Sequence, residues 1–420
     1  MSSKVKAVLQ YLRLLVITLA LSIINGMLLL TVVHILPVER IDENIRKSSS
    51  IFVTEGDYYD YSPENLSSRI DNFTDSIMLM IAGYKGSESI INQAIYNYFV
   101  LLPDKPKTES LVIVGEDKKN NEIEKRTYEW YWHGYLVFLK PLLFFFSILE
   151  IRHMNYVIIL GEIVIISILF YRQRKGLYIL PYIISVTFMN PSTISLSLAY
   201  CVPFHITNIS IIILLLHPKY VVRRGAVFFC LIGALTSYMD FLTYPILTLI
   251  FPFVLYVCIS DRINLSKCMG CLVSWATGYF GMWASKWLIS TIITGENHFV
   301  KGFERITVRS SNTFNRITIG FSDFTRIMKP YVIQGPYLIL LILLLVFLIV
   351  LIFKQKHVEH NQVYKTITIV LISLLPFIWY LISIQHSFLH NHITYRTIAG
   401  AFFALGCCLI PLIGDKTTKN

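Results

Sequence analysis

Residues 7 to 35 read Ala7-Val-Leu-Gln-Tyr-Leu-Arg-Leu-Leu-Val-Ile-Thr-Leu-Ala-Leu-Ser-Ile-Ile-Asn-Gly-Met-Leu-Leu-Leu-Thr-Val-Val-His-Ile35, with Arg13 as the single charged side chain. A helix crosses the hydrocarbon core of a bilayer with roughly 20 mostly apolar residues, and this run exceeds that length. The run is too long for the apolar region of a cleavable leader and ends without a small-residue cleavage site, so it reads as a retained signal anchor.

The rest of the chain repeats the pattern. Of 420 residues, 55% are hydrophobic and 15% charged, with a mean hydropathy of +0.58, whereas soluble domains carry about a quarter charged residues. The excess apolar surface is expected to face lipid. Apolar runs at 7–35, 155–171, 177–190, 204–216, 226–240, 242–259, 268–293, 333–353, 365–385 and 393–413 predict an all-α, polytopic bundle of about ten crossings. The net charge of +11 matters through its placement, because Lys/Arg excess marks cytoplasmic loops, and no nucleic-acid partner is expected. Basic residues cluster on alternate connections: Lys4 and Lys6; Arg172, Arg174 and Lys175; Lys219, Arg223 and Arg224; Arg262 and Lys267; Lys354, Lys356 and Lys365; Lys416 and Lys419. This alternation predicts a multi-pass cell-membrane protein with both termini cytoplasmic.

Three regions follow: an anchor helix at residues 1–36, an extracytoplasmic loop subdomain at 37–133, and a multi-helix membrane domain at 134–420. The mixed charge of the loop, with helical spacing around Ile77 to Ile90, predicts ordered structure. Residues 134–149 are short for a span, contain Lys140-Pro141, and follow Trp130, Tyr131 and Trp132. They predict a helix lying in the interface, where aromatic residues gather. The seven cysteines are scattered through apolar runs and predict no disulfide framework. Cys268 and Cys271 lack the second ligand pair of a zinc site.

With this topology the unusual polar residues converge on the outer side: Glu39 and Asp42 after the first helix, Glu129 and His133 at the end of the loop, Asp240, Lys286, and His386, His390, His392 and Arg396. Each has a structural alternative. Asp240, in Ser237-Tyr-Met-Asp-Phe-Leu-Thr-Tyr-Pro245, is also a helix-capping residue. Lys286 shares a helical face with Trp283 and Trp287 and is open to snorkelling; an intramembrane lysine also marks functional sites. The histidines show partial ligand spacing without a complete set, so no metal site is assigned. No cofactor is expected, and nothing in the pattern supports a divalent cation. A phosphate-binding loop, a dinucleotide fingerprint and a Gly-x-Ser-x-Gly elbow are all missing, so a donor would reach the outer side already attached to lipid.

The stretch Pro37-Val-Glu39-Arg-Ile-Asp42-Glu43 after the first helix, the long first loop with interfacial helices, and the many short crossings resemble the GT-C superfamily of integral membrane glycosyltransferases. Tyr131-Trp-His-Gly-Tyr-Leu-Val-Phe-Leu-Lys-Pro-Leu142 and Trp379 to His390 through Tyr395-Arg396 are also similar to a group of uncharacterised Gram-positive membrane proteins. The resemblance implies transfer of a sugar from a polyprenyl-phosphate donor to a cell-envelope glycan or glycolipid acceptor at the outer leaflet. It implies Glu39 or Asp42 as the base, with Lys286, Arg396 and Lys140 holding phosphate. Asp240, His133, His390, Trp283 and Trp287 are further candidates for substrate contact. A flippase or transporter of lipid-linked glycans, a polysaccharide polymerase or ligase, and a scaffold whose loop binds a partner are the competing expectations.

Overall fold

The computed structural model describes residues 3–116, 123–314, 317–355 and 358–413. Lys356, Lys416 and Lys419 lie outside the described residues. The first helix, α1 (Ser3–Val33), carries the opening apolar run. At Pro37 the chain turns into α2 (Val38–Glu55), which is amphipathic and buries Ile41, Ile45 and Phe52. There follow β1 (Tyr58–Asp60), β2 (Arg69–Asp71), α3 (Asn72–Ala82), α4 (Ile90–Tyr96), β3 (Phe99–Leu101), α5 (Lys107–Glu116) and β4 (Glu124–Arg126). The strands form two antiparallel pairs, with Tyr59 opposite Ile70 and Val100 opposite Lys125. Residues 38–116 and 123–126 thus form a largely helical cap, in which residues 78–82 of α3 are buried without a break.

The helical body begins with α6 (Leu136–Phe145) and α7 (Ile148–Arg172). Ser147 and Glu150 close a capping box at the start of α7, which satisfies backbone donors that a helix end leaves free. Next come α8 (Ile179–Phe188), α9 (Pro191–Leu196), α10 (Leu198–Leu216), α11 (Pro218–Arg223), α12 (Gly225–Met239), α13 (Leu247–Ile259) and α14 (Leu265–Thr294). Two amphipathic helices, α15 (His298–Ser310) and α16 (Phe321–Ile333), flank a short hairpin of β5 (Thr313–Phe314) and β6 (Ile317–Thr318). The chain then runs through α17 (Tyr337–Phe353), α18 (His360–Ile372), α19 (Leu375–Ile382), α20 (Ile384–Leu389), α21 (Asn391–Thr394), α22 (Ala399–Cys408) and α23 (Ile410–Ile413).

Among the described residues, five helical stretches are long and apolar enough to cross a membrane: Val5–Val33, Ile148–Arg172, Leu198–Leu216, His360–Ile382 and Asn391–Ile413. A sixth is added if α16 and α17, bent by 73° at their junction, are taken as one span. The expected count of about ten is higher because several apolar runs form helices too short to span, and the 30-residue α14 is long enough but not apolar enough. At 1.5 Å per residue, α8, α12 and α13 fall short of the roughly 30 Å hydrocarbon thickness. The 25-residue α7 suffices, and its Val157, Ile165 and Ile168 point outward in the manner of a lipid face. At 10 residues, α6 is likewise too short to cross.

The tightest helix pair, α12 with α14, is set by glycine. A Cβ on Gly233 would stand 2.1 Å from the Trp275 carbonyl oxygen, and one on Gly278 would stand 2.0 Å from that of Cys230. Small residues that let helix backbones touch are what associate helices where lipid removes the hydrophobic drive.

Candidate functional site

The cap sits on the body through charged and polar groups aimed at helix ends. Asp75 of α3, fully buried, accepts from the backbone N–H groups of Leu198 (2.8 Å) and Ala199 (3.0 Å) and from the Ser197 hydroxyl (3.2 Å), so it caps α10 from another element. Burial pushes its carboxyl up to about 7, because removing water disfavours the charged form. Arg152 of α7 pairs with Glu55 at 3.1 Å and donates to Asn72 at 2.8 Å, with both charged side chains nearly fully buried. Asn44 of α2 donates to the Leu143 carbonyl of α6 at 2.8 Å.

Two expected phosphate holders belong to this docking system. Lys286 Nζ donates to the carbonyl oxygens of Ala94 (3.2 Å) and Ile95 (2.7 Å) and lies 5.5 Å from the Trp132 ring centroid. Lys140 Nζ donates to the Ala82 carbonyl at 3.1 Å. Each amine therefore meets the carbonyl-rich C-terminal end of a cap helix, α4 and α3, where a cation is favoured. Trp283 and Trp287 donate from Nε1 to the Trp130 carbonyl at 2.8 and 3.2 Å, and Trp283 stacks on Tyr131. Both tryptophans hold the 128–133 turn in place. In that turn His133 has φ +57° and bonds Tyr128 O at 2.7 Å, and burial holds its imidazole well below the usual range.

Arg396 is fully buried without a carboxylate partner among the described residues. It donates to the carbonyls of Met189 (3.0 Å) and His392 (2.8 Å), and its guanidinium lies 4.3 Å from the Tyr200 centroid and 4.7 Å from that of Tyr395. Arg396 Nη2 and His392 Nε2 are buried without a hydrogen-bond partner. Asp240 accepts from the backbone and the hydroxyl of Thr243, which is the capping alternative; it pairs with neither Lys286 nor Arg396. No hydrogen bond or ion pair among the described residues joins Glu39 or Asp42 to Lys286 or Arg396, so the structure does not bring those four into one contact network.

His390 meets a residue that sequence reading passed over. Arg309, in the last turn of α15, donates to His386 Nδ1 at 2.7 Å and approaches His390 Nε2 at 3.3 Å, while His386 Nε2 faces the Leu242 carbonyl at 2.8 Å. A guanidinium thus occupies the space between two imidazoles that a metal would need. Burial, and then Arg309, push His390 down to about 4.

The catalytic candidates fare differently. Glu39 is exposed in the first turn of α2. Asp42 pairs with Arg46 at 2.9 Å and Lys85 at 2.7 Å. Asp42, Arg46 and Lys85 line a cavity of about 300 Å³ in the cap, together with Tyr84, Ile45 and Leu79. Arg46 lies one helical turn from Asp42 and was readable as an i,i+4 neighbour. Lys85 arrives from just beyond the end of α3, and nothing local announced it.

A second polar cluster lies within two of the long apolar helices. Glu162 of α7 meets His205 Nδ1 of α10 at 2.8 Å and accepts from Asn208 at 3.0 Å; Asn208 in turn accepts from Tyr182 at 3.0 Å. These are ordinary residues in sequence, and only their depth makes them notable.

The fold and site define the class only as a helical protein with long apolar helices suited to a lipid bilayer and a polar cap. Comparison with protein-family models, curated proteins and solved structures gave no match.

Proposed function

We propose that this chain is a membrane glycosyltransferase that moves a sugar from a polyprenyl-phosphate donor to a cell-envelope glycan or glycolipid on the outer leaflet, with both termini in the cytoplasm. The observation that carries the reading is the cap cavity in which Asp42 stands between Arg46 and Lys85, close to the end of α1. In this reading Asp42 takes the proton of the acceptor hydroxyl. The acceptor oxygen forms a bond to the anomeric carbon as the bond to the donor phosphate breaks, with inversion. Arg46 and Lys85 share their charge with the leaving phosphate, a role first expected of Lys286, Arg396 and Lys140. Glu39, three residues before Asp42 on the same helix, serves as the second base candidate. Transfer of labelled sugar in vesicles tests the assignment: Asp42→Asn is expected to lose about 10²-fold or more in rate. Full activity of the Glu39→Gln/Asp42→Asn double variant overturns it. Impermeant thiol labelling of cysteines placed at positions 57 and 297 tests the orientation; both are expected to react from outside.

One observation favours the transporter reading. Glu162 and His205 face each other within two long apolar helices, and intramembrane ionisable residues mark substrate and ion pathways. Donor movement across vesicles that survives Asp42→Asn but is lost in Glu162→Gln would select that reading over transfer, including transfer by a polymerase or ligase.

A further inference from the structure

We infer that the groove beneath α16 holds one anionic phospholipid as a stoichiometric component of the protein. The groove, about 570 Å³, is walled by Phe324, Met328 and Val332 of α16, by Phe377 and Tyr380 of α19, and by Ile398. That volume lies within the roughly 300–1,000 Å³ of ordinary ligand sites. Its inner wall is firm: Phe324 packs on Tyr380 with ring centroids 4.6 Å apart, and Tyr380 is anchored by its hydroxyl to the Thr394 carbonyl at 2.7 Å.

The surroundings select a lipid over an aqueous ligand. At the two ends of α16, Phe321 and Ile333 are 68% and 58% exposed, and across the groove Phe377 is 46% exposed. Apolar groups left open on this scale suit acyl chains. The 73° bend between α16 and α17 turns the amphipathic α16 away from the axis of the strongly apolar α17, the geometry of a helix lying in an interface while its neighbour crosses. Gln334, just past α16, accepts from Leu66 N at 3.0 Å, so this end of the groove is on the cap side.

The charge selects an anion. Arg326 and Lys329 both line the groove on one face of α16. The nearest compensation is Asp323, 3.2 Å from Arg326 in a solvent-exposed pair; Lys329 has no carboxylate partner among the described residues. A headgroup phosphate at these two cations, with an acyl chain passing under α16 along α19, satisfies both the charge and the apolar walls.

Native mass spectrometry of the full chain in detergent, after incubation with equimolar phosphatidylglycerol and phosphatidylcholine, tests this assignment without reference to transfer activity. One retained phosphatidylglycerol is expected. Arg326→Gln and Lys329→Gln should each lower its retention roughly fivefold, the weight of one basic residue near a membrane surface. Met328→Trp should abolish retention by filling the groove while leaving both cations. Lys329 is exposed, so its variant keeps the fold and remains decisive if Met328→Trp does not assemble. Equal retention of the neutral lipid, or unchanged retention in Lys329→Gln, overturns the proposal. Displacement of phosphatidylglycerol by equimolar polyprenyl phosphate also overturns it, since the groove would then belong to the donor lipid.

Discussion

Lys286 Nζ donates to the carbonyl oxygen of Ile95 at 2.7 Å, joining the middle of the body to the end of a cap helix across 191 residues of sequence. The contact converts an expected ligand-binding cation into a docking group. With Lys140 on Ala82 it makes a pair of body lysines, each closing the C-terminal end of one cap helix.

Lys286→Met should therefore destabilise the protein even without substrate. The buried carbonyl of Ala94 loses the lysine and that of Ile95 keeps only the longer bond from the Asn97 amide at 3.3 Å, at roughly 1–3 kcal/mol for a group left unsatisfied. Lys140→Met removes one such bond and should cost less. Thermal unfolding in detergent gives the order, and limited proteolysis should show new cleavage between residues 84 and 98 in Lys286→Met alone. Equal stability of wild type and Lys286→Met would return the lysine to ligand binding.

The α12–α14 contact predicts opposite outcomes for two glycines. Gly278→Ala drives a methyl into the Cys230 carbonyl and should cost roughly 1–3 kcal/mol, as overpacking does. A Cβ on Gly161 of α7 would meet nothing within 4 Å, so Gly161→Ala should raise stability by roughly 0.5–1 kcal/mol through helix propensity alone. Melting temperatures of the two variants should move apart.

The Arg152–Glu55 pair is almost fully buried at 3.1 Å. Arg152→Met leaves Glu55 and Asn72 facing a vacated charge site and should cost about 3–5 kcal/mol. Adding Glu55→Gln should recover part of that loss. A double-mutant cycle on unfolding free energies measures the recovery; additive losses would show that the two charges are not coupled.

Asp75 sets a pH dependence in the cap. Its folded-state pKa of about 7 stands above the ordinary 3.8, so the folded state binds more protons between those values. Its contribution is fully present below the ordinary value and lost as pH rises through the folded one. Wild-type melting temperature should fall over that window relative to Asp75→Asn, which cannot titrate. Parallel profiles would mean that the capping N–H groups of Leu198 and Ala199 keep the carboxylate ionised throughout.

The apolar runs by themselves determined that the chain is helical and suited to lipid. These are local properties: periodicity, length and composition act within one or two helical turns. The linear pattern did not decide how many runs are long enough to span, because the breaks at Ser197 and Gly335 are set by packing as well as by residue type. Nor did it decide partners. Glu39, Asp42, Lys140, Lys286 and Arg396 stand out in the sequence as charges beside or within apolar runs, but a polar group is satisfied by whatever the fold brings to it. For Lys286 that is a pair of backbone carbonyls, for Asp42 a lysine from beyond the far end of α3, and for His390 an arginine 81 residues away. Hydrogen-bond satisfaction in a low-dielectric interior is a condition on three-dimensional neighbours, and only the tertiary structure supplies them.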